Sequence, residues 1–171
     1  MIRFSVSALI LVLSVFVISN YSFSQGNSAE VNTLKGLKSI GIGVGVEQVD
    51  TDATAAGLDT GKLRNMIIKK LKKSGIKVLS DQEVGTVKGQ PMLFVNLNTV
   101  KQPGPIFIYT TALDLTQVVV LDRNRGLTSI SPTWTVLTTG GALPEDLYKS
   151  VEASLEPMLD SFIVDFKKAN P

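Results

Sequence analysis

The sequence predicts an α/β (α+β) fold: a mixed sheet of about five strands, in which a βαβ unit is followed by an antiparallel meander, with two helices packed on one face. Three observations predict it. Residues 39–49, SIGIGVGVEQV, alternate with a period of two. Residues 58–75, LDTGKLRNMIIKKLKKSG, place apolar side chains at helical spacing. The short run IKVL then follows Gly75. Strand, helix and strand at this spacing make a right-handed crossover between parallel strands.

In the first strand Ile40, Ile42, Val44 and Val46 lie on one face, and Gly41, Gly43 and Gly45 on the other. The glycines lie inside the strand, whereas a dinucleotide fingerprint needs them in the turn that opens a helix. The run therefore reads as a bare face on which a helix packs closely. Residues 50–61, DTDATAAGLDTG, carry three aspartates but put Ala55 and Gly61 where a calcium loop needs Gly and Glu. Turn and cap chemistry explains them better.

The first helix starts at a cap on Asp59 or Thr60 and ends at Gly75, a residue suited to the left-handed position after a helix. Leu63, Ile67 and Leu71, flanked by Ile68, form its stripe, and Lys62, Lys69, Lys72 and Lys73 lie opposite. Those lysines read as a solvated face, as a site for phosphate groups or acidic polymers, or as an edge facing the acidic side of the last helix.

The meander begins with PMLFVNLNTV, residues 91–100. The turn QPGP follows, then the long run IFIYTTALDLTQVVVLD, the turn RNRG, and SISPTWTVLTT. Odd positions of the first two strands (Leu93, Val95, Leu97; Phe107, Tyr109, Leu113, Leu115, Val119, Leu121) are the more apolar set. Ile130, Trp134 and Val136 share a side of the third. The last helix carries a stripe of Leu147, Val151, Leu155, Met158, Phe162 and Phe166, widened by Tyr148, Leu159 and Ile163. Pro157 interrupts its backbone bonding but not the stripe, which predicts one kinked helix with the proline on the solvent side.

The chain opens with Arg3, an apolar run from Ala8 to Ile18 broken only by Ser14, and small residues at Ser22 and Ser24. This pattern predicts an export signal over residues 1–24, cleaved near Ser24/Gln25, with a flexible leader over 25–35 and one domain over 36–171. Setting Arg3 aside leaves 16 of the 17 basic residues against 15 acidic ones, so there is no general attraction to nucleic acid or anionic membrane. The chain has no Cys and no His. That excludes disulfides, thiol nucleophiles, imidazole triads and the usual zinc sites. Asp114 and Asp122 share a strand face but stand more than about 20 Å apart, too far for a glycosidase pair. No catalytic residue, metal site or cofactor is expected.

With odd residues turned to the helices, Phe94, Asn96, Asn98, Ile106, Ile108, Thr110, Ala112 and Asp114 point to the other side, with Thr133, Thr135 and Leu137 extending that surface. Of these, Phe94, Asn96, Asn98, Ile106, Ile108, Thr110 and Asp114 are the candidate partner-binding residues, and Phe94, Ile106 and Ile108 form a contact patch if adjacent. A bulge in the long strand would switch the parity.

The runs KLRNMIIKKLKKSGIKVL, PMLFVNLNTV, TWTV and DFKKANP resemble a family of secreted bacterial proteins of unassigned role. The order of elements is similar to small periplasmic α/β domains such as the amino-terminal domain of TolB. The resemblance implies a fold and an envelope location, and it supplies no functional residues. The expectation is a periplasmic or secreted, non-catalytic binding or assembly module of the cell envelope. Its partner would be an envelope protein or a second copy of itself, with no membrane anchor after signal cleavage. The competing class is a small-molecule or lipid carrier with a pocket between sheet and helices; an envelope hydrolase comes third.

Overall fold

The computed structural model describes residues 27–48 and 51–171, apart from the side chains of residues 46–48. The expected export signal lies outside these residues. A helix α1 (Ser28–Thr33) leads into strand β1 (Ser39–Gln48), short helix α2 (Thr51–Ala55), helix α3 (Thr60–Lys73), strand β2 (Lys77–Val78) and short helix α4 (Asp81–Val84). Strands β3 (Met92–Lys101), β4 (Phe107–Leu121) and β5 (Asn124–Ala142) follow, and helix α5 (Leu147–Ala169) closes the chain.

The strands form one mixed sheet in the order β2-β1-β3-β4-β5. β1 runs parallel to both β2 and β3, and β3, β4 and β5 are antiparallel neighbours. The crossover and the meander are thus both present, sharing β1–β3 as the seam. Asp59 caps α3 by accepting from the Lys62 amide at 2.9 Å, and Gly75 takes φ 85° after its end. Both features follow from local preference.

The core joins Ile40 and Ile42 of β1, the odd residues Leu93, Val95, Leu97, Phe107, Tyr109, Leu113 and Leu115, and the stripes Leu63-Ile67-Leu71 of α3 and Leu147 to Phe166 of α5. Trp134 and Val136 complete it from β5. α5 is one helix through Pro157, which is half-buried. Ala153, whose carbonyl loses its helical partner there, is exposed, so water can satisfy it.

Four features depart from expectation. Residues 28–33, read as flexible leader, are helical because Asn27 and Glu30 make a capping box. That helix is docked: Thr33 donates to the Thr133 carbonyl at 3.0 Å. The stretch 51–55, read as turn, is helix α2, and Asp52 pairs with Lys101. Ile130 is 68% exposed and is not on the core side. The ladder slips between Leu115↔Trp134 and Thr116↔Pro132, so the parity of β5 reverses before the proline.

The fourth departure concerns the glycines of β1. No long helix covers them. Val84 of α4 fills the space a Cβ on Gly41 would occupy, and the ring of Phe94 fills that over Gly43 and Gly45, with the Met92 sulfur also beside Gly43. The aromatic ring of the neighbouring strand lies across a seat that only glycine leaves open.

Candidate sheet-face contact site

The register fixes what stands beside what on the even-numbered face. Successive rows read Gly43–Phe94–Asp114–Thr135, then Gly45–Asn96–Ala112–Leu137, then Asn98–Thr110–Thr139, then Val100–Ile108–Gly141. Six of the seven candidate residues therefore share these rows, and Ile106, just before β4, stands beside Gly141 at their end, but the predicted patch does not form as drawn. Phe94 and the Val100–Ile108 row are six residues apart along β3, roughly 20 Å. Phe94 is moreover half-buried in its glycine seat.

The apolar cluster sits at the other end. Val100 (53% exposed) faces Ile108 (38%) across the ladder, and Ile106 (46%) and Ile108 flank the bare Gly141 backbone. Leu137 (56%) stands two rows away. Val100 and Leu137 lie outside the candidate set; the alternation that placed Phe94 and Asn96 on this face was the signal that could have added them. Thr110 and Thr139 share a hydroxyl hydrogen bond of 3.2 Å between the cluster and Leu137.

Asp114 occupies the more closed end, between Phe94 and Thr135. Burial pushes its carboxyl above the ordinary value, and a hydrogen bond from Thr135 opposes the shift. A carboxyl raised in the folded state contributes stability at pH below its unfolded value and loses it as pH rises through the folded one. At neutral pH the charge therefore opposes folding. Asp114→Asn, which keeps the shape and an acceptor for Thr135, is expected to raise the thermal midpoint at neutral pH, with the gain fading well below pH 3.8. A lower midpoint at neutral pH would show that the carboxylate stabilises the face.

A second apolar surface lies on the outer part of the β4–β5 hairpin. β3 stops opposite Thr116, so the ladder from Gln117↔Ser131 outward is two-stranded. Val120, Leu127 and Ile130 are exposed there. Asp122, weighed as half of a carboxylate pair, lies in the turn and pairs with Arg125 at 3.2 Å. Asp59, weighed as a calcium ligand, is the α3 cap, and Asp50 falls outside the described residues.

Fold and surface together define a mixed-sheet α/β domain that leaves one sheet face partly uncovered, with the apolar groups at one end and the half-buried carboxyl of Asp114 at the other. Comparison with known proteins adds no assignment: no family model matches the chain, and no curated protein matches it. Among the described residues, no helix is long and apolar enough to cross a membrane.

Proposed function

We propose that this chain is a non-catalytic binding module of the bacterial cell envelope that holds a protein partner against the even-numbered sheet face. The observation that carries the reading is the exposed Val100–Ile108–Ile106 cluster, continued toward Leu137 on a rigid antiparallel ladder. Several large aliphatic side chains side by side in water are what a contact surface requires and a solvated face does not. The export pattern of residues 1–24 and the resemblance to small periplasmic α/β domains support the location. A carrier with its pocket between sheet and helices is disfavoured because Phe107, Trp134 and Phe162 fill that interior and are at most 1% exposed.

The test places a photo-crosslinking residue at Leu137 in cells, with Lys149 on α5 as the comparison. A defined adduct from position 137 and not from 149, whose partner then binds Ile108→Asp at least tenfold more weakly, is the expected outcome. A self-adduct with the same dependence makes the partner a second copy. Equal adducts from both positions, or an Ile108→Asp variant that binds unchanged, would overturn the reading.

A further inference from the structure

We infer that the groove between α3 and α5 is a binding site for a compact phosphate-bearing anion, a site independent of the sheet face. Met66, Lys69, Lys70 and Lys73 follow one another at i, i+3, i+4 and i+7, so helical geometry sets them on one side of α3. α5 supplies Glu156 and Lys167 opposite them, and together they line an open depression of about 580 Å³.

The charges in this groove are not balanced from within. Lys70 is committed: its Nζ lies 2.9 Å from Asp160 Oδ1 and donates to the Glu156 carbonyl at 3.0 Å, tying the two helices together. Lys69, Lys73 and Lys167 make no ion pair among the described residues. Four lysines against the carboxylates of Glu156 and Asp160 leave a surplus of two positive charges in a chain whose whole formal charge is +2.

Helix dipoles favour cations in a last turn, and Lys70, Lys72 and Lys73 of α3 and Lys167 and Lys168 of α5 occupy such turns. The dipole explains lysines at each helix end. It does not require the two helices to present them to the same depression, where the ammonium groups of Lys69, Lys73 and Lys167 are exposed. An anion carrying two or more charges matches the surplus of two. Phosphate meets the arrangement best, because its oxygens accept from several ammonium groups at once. The half-buried Met66 gives an attached apolar portion a surface to lie on.

Inorganic tripolyphosphate, titrated calorimetrically at low salt, is the first probe. The second is cosedimentation with phosphatidylglycerol vesicles against phosphatidylcholine vesicles. The groove variant Lys69→Gln/Lys73→Gln/Lys167→Gln is compared with Lys35→Gln/Lys72→Gln/Lys149→Gln, which removes the same charge from exposed positions elsewhere. The groove variant is expected to bind roughly tenfold more weakly, from three partly exposed ion pairs, and the control within about twofold of the parent. Selective loss with tripolyphosphate assigns a soluble phosphate compound. Selective loss with the anionic vesicles alone assigns a lipid headgroup. No binding of either probe by the parent protein, or equal loss in the two variants, would overturn the site. Crosslinking from Leu137 is unaffected by either result, so this site and the sheet-face contact fail separately.

Discussion

Trp134→Ala is expected to lower folding stability by about 3–5 kcal/mol, the largest effect of any single side chain here. Trp134 is the chain's only tryptophan and is fully buried. Its ring meets Phe162 edge-on with centroids 5.1 Å apart, and its indole N–H donates to Asp165 Oδ2 at 2.9 Å. One residue thus joins β5 to α5 by packing and by a charge-assisted hydrogen bond. Trp134→Phe separates the two contributions. It keeps most of the packing and loses the bond, which is worth about 1.5–3 kcal/mol when the acceptor is charged. Urea unfolding followed by circular dichroism measures both variants. A Trp134→Phe protein as stable as the parent would mean the Asp165 bond adds nothing net.

The second large effect is expected at Gly45. A Cβ there would overlap the Phe94 ring far inside contact distance, so Gly45→Val must push the ring off its seat or move β1. Overpacking of this kind costs about 1–3 kcal/mol, part of which the better strand propensity of valine returns. The diagnostic is the double-mutant cycle with Phe94→Ala. Once the ring is gone the valine has room, and its cost should largely vanish. If Gly45→Val costs the same with and without Phe94, the ring is not what the glycines accommodate.

These two positions also mark how far the sequence was legible. Trp134 and the stripes of α3 and α5 could be read because burial followed one period without interruption, and the cap at Asp59 and the stop at Gly75 are local choices. Ile130 could not, because parity was carried straight through Pro132, where the pairing slips opposite Thr116; a proline inside a strand marks an edge or a bulge, and the register shows that here it stands at a bulge. The glycine run was legible as a bare face but not as the seat of Phe94, since that depends on β3 rather than a helix lying beside β1. The candidate site suffered from the same gap. Alternation placed the right residues on one face, Val100 and Leu137 among them, and only the register showed that Phe94 is far from Ile108. α1 was missed for a simpler reason: Asn27 and Glu30 stand at capping-box spacing, but the helix they start has no apolar stripe to announce it.

The sheet also joins partners of very unequal separation along the chain. β4 and β5 turn back at Asp122 and Arg123, whereas Gly41 must find Met92 across the whole of α2, α3, β2 and α4. Closing that larger loop costs more entropy before any contact repays it. The meander is therefore expected to form before β1 docks, so in stopped-flow measurements Trp134→Ala should slow folding while Gly45→Val chiefly speeds unfolding. Until β1 docks, β3 is an open strand edge with Phe94 lying bare beside it, and such edges recruit other chains. The glycine seat thus has a second consequence, in time rather than space: how quickly it captures the ring sets how long each newly made chain remains open to aggregation.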